Sequence, residues 1–226
     1  MKRTLIGLLL SAAACIGCQA GEAAVRIPAP LVDDTPATGK LQTAILAGGC
    51  FWGVQGVYQH LTGVKNVLSG YSGGAREDAD YQTVGGGNSG HAESVQIVFD
   101  PAKVTYGQIL QVFFSVAHDP TQLNRQGPDS GPQYRSAIFY GSVRQQKIAQ
   151  AYIAQLNAAK VFPAAIVTKV DPLKGFYAAE GYHQDFLVNH PAHPYIVIND
   201  LPKVRNFERL FPALYVPRAV TVASAK

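Results

Sequence analysis

The chain predicts one α+β domain: a mixed or antiparallel sheet with helices packed on it and long loops. Three features point there. Strand-like and helix-like stretches alternate, the helical ones are few, and the stretches between them are long and broken by glycine and proline. Residues 43–47 form a short apolar strand that Gly48-Gly49 ends, and residues 50–61 set Val54, Val57, Tyr58 and Leu61 on one helical face. Residues 64–71 read as a strand stopped by Ser72-Gly73-Gly74, and 78–90 as a loop closed by Gly85-Gly86-Gly87 and Asn88-Ser89-Gly90. Residues 94–99 alternate as a strand, and 106–117 bury Ile109, Leu110, Phe113 and Phe114 as a helix. A long loop at 118–131 carries Asp119-Pro120 and Gly127-Pro128-Asp129, and 135–140 is a strand. Ser142 caps a long helix to about residue 160, and 164–170 is a further strand. Beyond Pro172 the chain reads as irregular, with short helices near 178–185 and 203–211.

The ends suggest export. Residues 1–20 pair a basic head, Lys2-Arg3, with an apolar run from Leu5 to Ala14 that is too short to span a bilayer and fits a secretory signal. Cleavage after Ala20 would leave a free periplasmic or secreted protein; cleavage just before Cys18 would leave a lipid-modified cysteine and membrane attachment. Residues 21–40, rich in Ala and Pro and without period, read as a flexible tether, which favours the anchor. The expectation is thus an exported protein of the periplasm or cell envelope, with a catalytic domain at 41–215, a tail at 216–226, and a monomer as its working state. Losing Lys2 and Arg3 lowers the formal net charge from +4 to about +2, too little to argue for nucleic acid as a partner. A hydrophobic content of 47% excludes disorder.

Chemistry concentrates at Gly48-Gly49-Cys50-Phe51-Trp52-Gly53. Cys50 is the one cysteine outside the leader region, and a lone thiol in an exported protein is kept for reactivity more often than for packing. Placed at the first turn of a helix, it is expected to be favoured as the anion, with Gly49 leaving room for a substrate. Phe51 and Trp52 point in different directions from consecutive helical positions, so at least one lines the space beside the thiol. In Gly90-His91-Ala92-Glu93, entering a strand, Glu93 shares a face with Val95 and Ile97, where desolvation would raise its pKa and keep it protonated. Tyr134, in Gln133-Tyr134-Arg135-Ser136, and Tyr81 each offer a hydroxyl donor on an aromatic wall.

Those three motifs, in this order and spacing, resemble the A-type peptide methionine sulfoxide reductases from about residue 44 to 211. The resemblance implies a ferredoxin-like sheet core and thiol-dependent reduction of methionine-S-sulfoxide, free or in oxidised proteins. It implies Cys50 as nucleophile, Glu93 as proton donor, Tyr81 and Tyr134 holding the oxygen, Asp129 as a supporting polar group, and Phe51 with Trp52 caging the S-methyl group. His91 is left as a residue that either supports the site from behind or is structural. No cysteine follows Cys50, whereas many relatives carry a resolving thiol near the C-terminus, so the chain resembles the single-cysteine members. A Cys50 sulfenic acid reduced by an external thiol is the expectation, with thioredoxin-like, glutaredoxin-like or small-thiol donors all open and no bound cofactor. His183, His190 and His193 lack the spacing of a metal site, and the triple glycine lacks the setting of a phosphate loop. A Cys50–His91 hydrolase, a thiol peroxidase and a non-catalytic peptide-binding module are the competing readings.

Overall fold

The computed structural model describes residues 24–36 and 38–222. Its core is a split β-α-β arrangement. Strand β1 (Gln42–Gly48) leads into helix α1 (Phe51–Gln59) and then β2 (Val64–Ser72). A short helix, α2 (Tyr81–Gly85), precedes β3 (Ala92–Phe99), helix α3 (Tyr106–Val112) and its π-helical extension Phe113–Ala117. After a small hairpin, β4 (Arg125–Gln126) and β5 (Asp129–Ser130), the chain returns as β6 (Ser136–Tyr140). β6, β1, β3 and β2 lie side by side in that order, each antiparallel to its neighbour. This is the ferredoxin-like order, in which each crossover helix joins two parallel strands with a third strand between them.

Two edge strands widen the sheet. Helix α4 (Val143–Ala158) carries the chain to β7 (Lys169–Pro172), parallel to β6, and β8 (Phe176–Ala178) pairs antiparallel with β2 at the far edge. The rest is α5 (Phe186–Asn189), a π-helical turn Ile196–Asp200 and α6 (Leu201–Leu210). Alternation sorts the strands. Leu46, Val67, Val95, Ile97, Phe99 and Ile138 join the helices in the main core, while Ile45, Ala47, Ala92, Ala137 and Phe139 form a small second cluster with Leu173 and Phe176. Helix α3 starts on a full capping box between Thr105 and Gln108, and Ser142 caps α4 through the Gln145 N–H.

The departures from expectation lie in the segments without periodicity. The loop expected at 78–90 contains α2, which Asp80 caps by accepting from the Thr83 N–H. The strand expected at 164–170 shifts to Lys169–Pro172, because pairing with β6 sets its register. The stretch expected as a helix at 178–185 holds a 3₁₀ turn, Gly181–His183, and β8 forms in the stretch expected to be irregular. The stretch expected to be a tether is, over residues 24–36, a strap. Ile27 is buried in the main core, Tyr152 donates to the Pro28 carbonyl, Asp33 accepts the Gly107 N–H at the start of α3, and Asp34 pairs with Arg144. The described part of the tail is likewise tied down: Val216 and Val220 N–H donate to His60 and Gln59, and Val222 N–H to the Asp185 carboxylate. The leader at 1–20 and Cys18 lie outside the described residues.

Candidate active site

The site is built where β1 ends and α1 begins. Gly49 turns the chain at φ +85°, and a Cβ there would sit 2.5 Å from the Gln126 side chain. Gln126 therefore occupies the space expected for substrate, and tying its amide to both backbone groups of Asp119 anchors the loop that carries Asp129. Cys50 follows as the N-cap of α1, buried and free. Phe51, 1% exposed, packs on the Tyr71 and His183 rings. Trp52 donates its indole N–H to His183 Nδ1 and stacks on Phe186, ring centroids 3.8 Å apart.

Glu93 stands near the start of β3, on the helix-facing side of the sheet, 4% exposed, and accepts the Phe51 N–H at 3.0 Å. Burial raises its pKa to about 8; the Phe51 N–H opposes the rise, and Asp129 and Asp200 add to it. Glu93 therefore holds its proton at neutral pH. Helix-start placement, expected to favour the Cys50 anion, is outweighed. Burial pushes the thiol well above its usual range, Glu93 and Asp200 push it further, and the Trp52 backbone N–H pulls the other way. The resting pair is a thiol beside a carboxylic acid.

Tyr81 opens α2 and is 39% exposed; its backbone N–H is held by Glu180 and its ring lies on His183. Tyr134 ends the 3₁₀ turn Pro132–Tyr134, and burial, then Glu93, holds its phenol above the usual range, as burial does for Tyr81. Both stay protonated donors. Arg135 fixes the loops around them by donating to the Gly90, His91 and Pro132 carbonyls. Asp129 accepts a hydrogen bond from the Tyr195 hydroxyl. Its pKa is raised, chiefly by burial, against the Tyr195 hydrogen bond and Lys203.

Cys50, Phe51, Trp52, Tyr81, Glu93, Asp129 and Tyr134 thus converge on one cavity of about 230 Å³, completed by His193 and Tyr195. A larger groove, about 790 Å³, runs between the strap residues Asp33 and Asp34, Phe139, Arg144 and Leu173, and holds no thiol and none of the candidate side chains. His91 is structural: its Nδ1 accepts the Gly74 N–H and its Nε2 donates to the Ala75 carbonyl. Sequence reasoning missed His193, Tyr195, Phe186 and Asp200. For the three rings the one signal is a density of aromatic residues in the irregular segment, from Tyr182 to Tyr195; Asp200 has none. The three histidines there pack around Trp52 and Phe186: His183 on Trp52, His190 on Phe186, and His193 edge-on to both.

A nucleophilic sulfur that meets a neutral acid in a ring-lined hollow suits attack on an uncharged group whose oxygen leaves only as it gains a proton. That is the work of a thiol-dependent reductase. The profile of the family described as "Peptide methionine sulfoxide reductase" matches residues 42–213. "Peptide methionine sulfoxide reductase MsrA 2" of Mesorhizobium japonicum is 63% identical over 194 residues, covering 86% of this chain and 99% of the relative. The protein of the same name from Synechocystis sp. is 51% identical over 188 residues, covering 82% and 88%. Among solved structures, reduced Mxr1 from Saccharomyces cerevisiae superposes with a TM-score of 0.60 at 30% identity, covering 70% of this chain and 94% of that one. Methionine sulfoxide reductase A of Corynebacterium diphtheriae gives 0.59 at 31% identity, covering 74% and 84%. The chain belongs to the peptide methionine sulfoxide reductase family, A type, and its activity is the reduction of methionine-S-sulfoxide to methionine.

Proposed function

We propose that Cys50 and Glu93 carry the reaction through a proton shuttle. The observation that carries it is the placement of both groups on one small cavity, with Glu93 protonated and fixed on the Phe51 N–H. With methionine sulfoxide seated, Tyr81 and Tyr134 hydroxyls hold the oxygen, and the Phe51 and Trp52 rings take the S-methyl group. The Cys50 sulfur attacks the sulfoxide sulfur. Glu93 gives its proton to the oxygen and takes up the thiol proton. The protonated oxygen passes to Cys50 as the sulfur–sulfur bond and the original sulfur–oxygen bond break, leaving methionine and a sulfenic acid: the sulfoxide sulfur is reduced by two electrons, the cysteine sulfur oxidised by two, and Glu93 is again protonated. Asp129, held by Tyr195, supports the polar wall.

The sulfenic acid is returned to the thiol by an external reductant, because no cysteine follows Cys50. A thioredoxin-like or glutaredoxin-like protein, or a small thiol, serves with no bound cofactor, and the enzyme works as a monomer on free or protein-bound sulfoxide. Mass spectrometry of the oxidised full-length protein should find Cys50 as sulfenic acid or its trapped adduct; an intramolecular disulfide at Cys50 would end this account. Incubation with dithiothreitol and each sulfoxide epimer should consume the S epimer alone, and consumption of both would remove the cage assigned to Phe51 and Trp52.

The leader supports a repair role for exported proteins in the periplasm or cell envelope, with a lipid on Cys18 or release after Ala20. A peptide map of the mature N-terminus decides between these; an unprocessed N-terminus would remove export. No helix of the described residues is long and apolar enough to cross a membrane.

A further inference from the structure

The N-terminus of α1 gathers more acidic groups than the reduction uses. Cys50 caps it, and Glu93 reaches it from β3 through the Phe51 N–H. Asp200, from the C-terminal segment, lies against Gly53 in the same turn, so closely that a Cβ there would be 2.2 Å from its Oδ1. Asp200 is fully buried, and Lys203, one turn further on and 7% exposed, sets its Nζ 3.6 Å from that carboxylate. Neither residue lines the cavity. A buried ion pair adds little net stability over apolar residues of the same size, so its place beside a reacting thiol calls for a role.

We propose that the Asp200–Lys203 pair is a positioning element for the proton: it sets the charge behind the N-terminus of α1 and thereby how readily Cys50 and Glu93 release their protons to the departing oxygen. The proposal deepens the reading of Cys50 and Glu93 given above and rests on it. Asp129 from β5, Tyr81 from α2, Tyr134 from the 3₁₀ turn, and His193 and Tyr195 from the C-terminal segment all face the thiol across the cavity. Asp200 instead meets α1 at Gly53, outside the cavity wall. Its charge opposes ionisation of both groups, after burial and Glu93 for Cys50, and after burial and Asp129 for Glu93. Lys203 offsets that charge. The balance within the pair, rather than contact with substrate, tunes the site.

The pH dependence of Cys50 alkylation by iodoacetamide tests this without sulfoxide or reductant, so its outcome is separate from that of the reductase reading. Asp200→Asn should lower the alkylation midpoint by about half a unit to one unit, a threefold to tenfold faster reaction below both midpoints. Lys203→Met should raise it by a similar amount, the double variant should return close to wild type, and the alkaline limb of sulfoxide reduction should move with the midpoint in each. Unchanged midpoints, or shifts in the same direction for both single variants, would mark the pair as packing and overturn the proposal. Should Asp200→Asn fail to fold, Lys203→Arg against Lys203→Met gives the same discrimination: Arg keeps the wild-type midpoint and Met raises it, and equal midpoints overturn it.

Discussion

Two buried titratable clusters adjoin the Gly48–Cys50 turn, and they have opposite fates. Cys50 and Glu93 line a cavity. His118 packs against Gly48, 4% exposed, with burial pulling its pKa down to about 3. Neutral His118 donates from Nδ1 to the Phe113 carbonyl and accepts at Nε2 from the Ser136 hydroxyl, which in turn pairs with Thr168. Both clusters are shifted by burial, so the shift alone does not mark the reaction centre. His118 lines neither the 230 Å³ cavity nor the 790 Å³ groove and has both ring nitrogens engaged. Glu93 has the Phe51 N–H and an opening onto space where a substrate oxygen can sit.

The comparison predicts which changes remove chemistry and which remove stability. Cys50→Ser should abolish sulfoxide turnover while leaving the circular dichroism spectrum and melting curve native; surviving turnover would dissolve the distinction. Glu93→Gln should lower kcat by about 10²–10⁴-fold and at the same time stabilise the fold. The sign follows from a folded pKa of about 8 against an ordinary 4.5: stability from this group is fully present below about pH 4.5 and is lost as pH rises through about 8. An amide has no such loss and still accepts the Phe51 N–H, so urea unfolding should show a gain of about 1–3 kcal/mol at pH 7 that vanishes near pH 4. A gain equal at both pH values would contradict the buried-acid assignment.

For the wild-type enzyme, kcat should fall above about pH 8, where Glu93 loses its proton, and a rate still climbing through pH 9 would place the acid elsewhere. Tyr195→Phe frees Asp129 from its hydroxyl partner and should lower kcat/KM by about fivefold, the worth of one hydrogen bond. Ser136→Ala should act on the other cluster alone. It strips the Nε2 partner from His118 and should cost about 1–3 kcal/mol in unfolding free energy, with turnover within about twofold. A parallel loss of turnover would show that the His118 network is part of the catalytic apparatus after all.

How much of this could be read from the residues depends on whether the information is local. The Cys50-Phe51-Trp52 run, the burial of Glu93 and the seven main-core segments β1, α1, β2, β3, α3, β6 and α4 follow from short motifs and periodicities that neighbours in the chain define. Tyr81 and Tyr134 are legible as hydroxyl donors, but their place at the substrate oxygen, and the role of Asp129, needed the family resemblance, since a phenol or carboxylate in a loop has no local signature of direction. The places of Tyr195, His193 and Asp200 went unread because the stretch at 186–200 shows neither helical nor strand period, and packing against α1 orders it.

The residues by themselves determined an α+β alternation of strands and helices, the one usable sulfur and the acid that faces it; the ferredoxin-like order came from the family resemblance. Tertiary structure decided the proton state and the surroundings. A helix N-terminus argues for a thiolate, yet the water-excluding contacts of remote rings and the nearby carboxyl groups outweigh it and leave a thiol. In the same way a Pro- and Ala-rich stretch argues for a tether, yet a gap between α3 and α4 accepts Ile27 and makes it a strap. Desolvation and fit are sums over contacts distant in the chain, and no local pattern records them.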